Sequence, residues 1–154
     1  MNNAPMDISW ADSCEPPLST EEIREHIQEF LQILGHSDRQ ISLYFTNDME
    51  IQEFNSRYRN QNKPTDVLSW SYWENDPNSE ILGEIVISVD QVQKQADTNH
   101  WPESTELIRL LAHGCAHLVG YDHEISLEEE KKMLLMEIKM LGAVGLDNIY
   151  EMDK

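Results

Sequence analysis

Three histidines in the eleven-residue run HGCAHLVGYDH, residues 113–123, constrain this chain more tightly than any other feature. His113 and His117 are four apart, so on an α-helix their imidazoles project from one face, a single turn apart. Gly120, three residues beyond His117, suits a left-handed turn that ends the helix and brings His123 back towards the other two. The run thus dictates a helix, its stop and its return. Three imidazole nitrogens at about 2.0 to 2.1 Å leave the fourth tetrahedral position of a zinc ion open, the arrangement of a catalytic rather than a structural site. With 6 histidines in 154 residues, three falling at these positions by chance is expected in roughly 1% of such chains. One zinc ion per chain, held by His113, His117 and His123, is the expectation.

Zinc proteases with the same spacing carry glutamate directly after the first histidine. Here Gly114 stands in its place. Peptide hydrolysis needs a carboxylate to take a proton from water and pass it to a poor leaving amine, so the glycine argues against proteolysis. Phosphodiester cleavage depends more on a cation for the negative charge that gathers on phosphorus and its oxygens. Arg57, Arg59 and Lys63 supply a small basic island within seven residues. On a helix ending there, Arg57 and Arg59 point in different directions, so only one of them should reach a given site.

The rest of the chain is strongly acidic, with 11 Lys and Arg against 29 Asp and Glu and a formal charge of -18. Its average field repels phosphate backbones and anionic membrane surfaces, so nucleic-acid binding has to come from the local island or from a basic partner. No run approaches the ~18 apolar residues that cross a membrane, and the start lacks a basic leader, which reads as cytoplasmic. Cys14 and Cys115 form no CxxC pair, so no disulfide partner is expected. Cys115, two residues past His113, sits about 200° round the helix from it and should be a packing residue. His26, His36 and His100 lack partners at ligand spacing and read as surface residues. Asp122 could either orient a ligand imidazole or cap the turn.

No repeat or linker divides residues 1–154, and the length suits one domain. MDISW, ISLYF, DVLSW and GEIVIS read as four strands, the last apolar enough to be central. A helix from Ser19, boxed by Glu22 and stopped by Gly35, places Ile23, Ile27, Phe30, Leu31 and Leu34 on one face. A second opens at Asn47 and carries Ile51, Phe54 and Tyr58. VDQVQKQAD is a third, and the histidine helix starts at Pro102 with Leu107, Ile108, Leu110, Leu111 and Leu118 deeply buried. A last helix, capped by Ser126, contributes Met133, Met136, Ile138, Met140 and Leu141 to the core. The tail after Gly145 shows no pattern and is expected to be loosely held. Alternation sends Trp70 and Tyr72 to one face of their strand and Trp73 to the other.

HGCAHLVGYDH, FNSRYRNQNKPTDVLSW and LGEIVIS together resemble the YbeY family of bacterial rRNA maturation factors, metal-dependent, single-strand-specific endoribonucleases. The resemblance runs from about residue 40 to residue 141. It implies an α+β fold, a single domain whose central mixed four-stranded sheet is surrounded by about five helices, with the histidine motif on a helix and the following turn. It implies zinc on His113, His117 and His123, and a functional Arg59 before PTDVLS. His113 and Arg59 would then carry catalysis, and Arg59 with Lys63 would bind substrate. It also implies work on single-stranded ribosomal RNA, in 3' end processing of the small-subunit RNA and in ribosome quality control, beside a basic small-subunit ribosomal protein. Ala116 replaces a usual leucine, and Ser69–Trp70–Ser71 a usual SFP; both changes bear on the groove beside the metal. The alternatives are a non-catalytic ribosome assembly factor whose metal is mainly structural, and a metzincin-like metalloprotease. Asp122 and Glu84 are nominees for a general base, with neither placed near the metal by sequence.

Overall fold

The computed structural model describes residues 7–122, 124–147, 149 and 150. Along the chain run β1 (Asp7–Trp10), α1 (Thr20–Leu34), β2 (Gln40–Thr46), α2 (Asp48–Arg59), β3 (Val67–Ser71), β4 (Ile81–Ser88), α3 (Val89–Asn99), α4 (Glu103–Leu118) and α5 (Leu127–Ala143). The strands form one mixed sheet in the order β1-β2-β4-β3. β1, β2 and β4 are parallel, with Ile8 beside Leu43 and Leu43 beside Ile85. β3 closes the far edge antiparallel to β4, pairing Ser69 with Ile85 and Trp70 with Glu84. The four expected strands and five expected helices are all present, and GEIVIS lies within an interior strand.

Alternation along the strands sorts residues between two layers. Ile41, Leu43, Phe45, Ile85 and Ile87 turn to the face covered by α1, α4 and α5, where they are fully or almost fully buried with Ile23, Phe30, Leu111 and Met140. The opposite face carries a smaller cluster, in which Ile51 of α2 packs on Leu68 and Val86. α1 starts as the sequence demands: Ser19 accepts the Glu22 N–H while the Glu22 carboxylate returns to the Ser19 N–H, and Gly35 caps the far end. Asn47 and Ser126 likewise accept N–H groups at the starts of α2 and α5.

Four expectations need correction. Tyr58 is not core but 58% exposed: it continues the stripe of Ile51 and Asn55, but it stands in the last turn of α2, where its ring meets Trp70 edge to face, at 5.6 Å between centroids. Ile138 is 39% exposed; Glu137 occupies the inward line with Met133, Met140 and Leu141. After Gly145, Leu146, Ile149 and Tyr150 are anchored: Ile149 is only 5% exposed in the main core, and Leu146 and Tyr150 pack against it. His36 is half-buried, its ring meeting Trp73 edge to face at 4.7 Å, which lowers its pKa through burial.

Candidate functional site

α4 is built to present two side chains on one open face. Leu107, Leu110, Leu111, Ala112, Gly114, Cys115, Ala116 and Leu118 are all buried, which fixes the helix's rotation and leaves His113 and His117 half-buried on its free side. Gly114 faces the sheet: a Cβ there would lie 3.0 Å from Ile85 Cδ1. The position that proteases give to glutamate is therefore packed against β4. Cys115 is fully buried, with its thiol pushed up to about 12 by desolvation, in keeping with a packing role. The helix stops where expected, with Gly120 at φ +107. At that end Ser71 Oγ of β3 donates to the Leu118 carbonyl at 2.8 Å, tying the edge strand to the histidine helix.

Between α2, β3 and α4 lies a cavity of about 380 Å³ lined by His113, His117, Arg59, Lys63 and Arg109, with Asp66 and Glu124 as its carboxylates. The two imidazole rings stand 6.3 Å apart, centre to centre. Arg59 ends α2 because Asn60 takes the left-handed conformation at φ 61. Buried Asn55 then donates to the Lys63 carbonyl at 2.9 Å, folding the loop so that Lys63 returns to the same cavity. Among the described residues neither Arg59 nor Lys63 takes part in an ion pair. Arg57 leans on the Tyr58 ring at 5.9 Å and lines a different surface, so the two arginines diverge as their spacing requires.

His113 is held from behind. Its Nδ1 lies 2.7 Å from Glu137 Oε2, within hydrogen-bond distance, and Glu137 Oε1 accepts from the Tyr150 hydroxyl at 2.5 Å. Glu137 is 4% exposed, so both of its oxygens are satisfied inside the protein. Burial first, then the charge and hydrogen bond of Glu137, push the Tyr150 phenol above its ordinary pKa and keep it a donor. Tyr150 also interacts with Arg109. Arg109 Nη2 meets Glu106 Oε2 at 2.6 Å, and Trp101 Nε1 donates to Glu106 Oε1 at 2.9 Å. Desolvation alone would loosen the Arg109 proton, but the Glu106 hydrogen bond and charge outweigh it and bind the proton more firmly. Gln95 links the two walls, accepting from Arg109 and donating to Asp66, each at 3.2 Å.

The residues suit zinc. Neutral imidazoles at i and i+4 are its usual donors, and with a buried carboxylate beside Nδ1 it is Nε2 of His113 that would face an ion. Among the described residues no group of three His, Cys, Asp or Glu is close enough to hold an ion. His123, the third expected ligand, lies outside the described residues. Asp122 caps the turn, accepting the Glu124 N–H at 2.8 Å. Glu84 sits on the opposite side of the sheet, accepting from Tyr72 and lining a groove with Tyr44, Phe54, Tyr58 and Trp70, so it is no base for the histidine site. Trp73 packs with the main core, as alternation requires.

Arg109, Glu137 and Tyr150 were not legible as site residues. Glu137 interrupts a run of apolar residues at a core position, which was the available signal. Glu106 read as an ordinary acidic residue of a helix start, yet it is fully buried.

Comparison with known proteins places these features in context. A family model described as "Endoribonuclease YbeY" matches residues 10–145. Endoribonuclease YbeY of Aquifex aeolicus is 42% identical, over 81% of this chain and 83% of the relative. That of Trichormus variabilis is 44% identical, over 95% and 90%. The solution structure of TM1509 from Thermotoga maritima matches 95% of both chains with a TM-score of 0.58; at 24% identity it speaks to the fold alone.

Proposed function

The chain belongs to the endoribonuclease YbeY family, and from that premise we propose that it is a zinc-dependent endoribonuclease of single-stranded RNA. Its role is in ribosomal RNA maturation, including the 3' end of the small-subunit RNA, and in ribosome quality control in the cytoplasm. The observation that carries the chemistry is the cavity in which two histidines of α4 face Arg59 and Lys63.

His113, His117 and His123 would hold the zinc, which would supply Lewis-acid chemistry to the phosphoryl and attacking oxygens. Arg59 offers a planar fork of donors to two phosphate oxygens as charge builds on them, while Lys63 acts as a point charge on the same wall. The buried Glu106–Arg109 pair is internally neutralised, so its part is to shape the wall rather than to attract substrate. Asp66 and Glu124 are the carboxylates that line the same cavity. The net charge of -18 disfavours free RNA as a long-range partner, and a basic small-subunit ribosomal protein docked nearby would reverse the local field. No helix among the described residues is long and apolar enough to cross a membrane.

Incubation of zinc-loaded protein with unstructured RNA tests this reading. A folded His113→Ala variant should lose both zinc and cleavage. Arg59→Ala should keep its zinc and lose roughly 10²- to 10³-fold in kcat/KM, the scale for one donor to a developing anion. Equal products from wild type and His113→Ala would overturn it, as would loss of zinc from Arg59→Ala.

A further inference from the structure

We propose that Glu137 and Tyr150 are positioning residues for His113: Tyr150 fixes the Glu137 carboxylate, and that carboxylate fixes both the orientation and the tautomer of the imidazole. The inference rests on the zinc reading above and adds residues from two further parts of the chain.

Two observations carry it. The Glu137 carboxylate spans the gap between α5 and α4 with one oxygen on each partner, His113 Nδ1 at 2.7 Å and the Tyr150 hydroxyl at 2.5 Å. It does so at 4% exposure, where a carboxylate in search of solvent alone would not be found. A neutral imidazole carries its proton on either nitrogen, and the nitrogen that is hydrogen-bonded to a carboxylate is the one that keeps it. With Nδ1 so engaged, the lone pair of Nε2 is directed away from the core, and the ring becomes a stronger donor to a cation. Without Tyr150, one Glu137 oxygen would be left unsatisfied and the carboxylate freer to turn. Tyr150 lies beyond residues 10–145, the stretch that matches the family model, whereas Glu137 lies within it.

The experiment uses the full chain. Nitrogen-detected NMR of metal-free protein at pH 8, with imidazoles neutral, reads the tautomer of His113; a competition titration with zinc alone reads affinity; circular dichroism reads folding. Wild type should show His113 protonated at Nδ1. Glu137→Ala should lose that preference and roughly 10- to 100-fold in zinc affinity. Tyr150→Phe should keep its fold and lose roughly 3- to 10-fold, the scale of one ordinary intramolecular hydrogen bond. Should Glu137→Ala not fold, the isosteric Glu137→Gln replaces it, and its affinity should also fall. Wild-type His113 protonated at Nε2, or a folded Glu137 variant within twofold of wild-type affinity, would overturn the proposal. Zinc uptake without RNA cleavage in wild type counts against the endoribonuclease reading alone. If wild type binds no zinc, the cofactor assignment fails and the tautomer comparison still decides the positioning.

Discussion

Residue 114 shows how one atom of space separates two chemistries that share a histidine spacing. The absent side chain leaves room for Ile85 of the central strand, whose Cδ1 would lie 3.0 Å from a Cβ. A glutamate there would both overpack the core and carry a carboxylate into apolar surroundings. Gly114→Glu should therefore lower the free energy of unfolding by at least about 3 kcal/mol, measured by urea titration, and should yield no peptidase activity against a broad peptide library. A stable variant would show that the helix can rotate away from the sheet. The same contact explains why the spacing was readable and the base was not: ligand positions follow from helical geometry, whereas the neighbours of a glycine depend on tertiary packing.

At the level of elements, local signals were legible wherever a local cause sets them. The capping box at Ser19, the glycine stops and the alternation of β2 all appear as expected. What escaped were buried charges, because a helical glutamate looks alike in sequence whether it meets water or an arginine from another turn. Glu106 is the clearest case: beneath Trp101 and Arg109 it secures the start of the histidine helix. Glu106→Ala should cost roughly 3 to 5 kcal/mol by leaving Arg109 half-buried and unbalanced, and the double variant with Arg109→Met should recover most of it. A double-mutant cycle in urea checks this; additive losses would mean the pair is not coupled. The tail was misread for a related reason, since Ile149 and Tyr150 give no periodic pattern although both find partners in the core.

On the scale of the molecule, a charge of -18 surrounds a cavity whose wall carries the cations Arg59 and Lys63. These act at different ranges. The net charge repels RNA over tens of ångströms at low salt, whereas the cavity cations act at contact, inside a Debye length of about 10 Å at 0.1 M. Cleavage of unstructured RNA should therefore rise as potassium chloride is first added and fall at higher concentration, with kcat/KM passing through a maximum. A monotonic decline would mean that the local cations dominate at every distance. The cavity also draws on segments scattered along the chain: α2 and its loop, β3, α4, then Glu137 and Tyr150 behind the first imidazole. Ribosomes build proteins from the N-terminus, so the brace is made after the cavity residues it supports. A nascent chain that has just exposed Arg59 and Lys63 thus carries no histidine of the site, and an assembled cutting tool waits for α4 and then for Glu137 and Tyr150 to emerge.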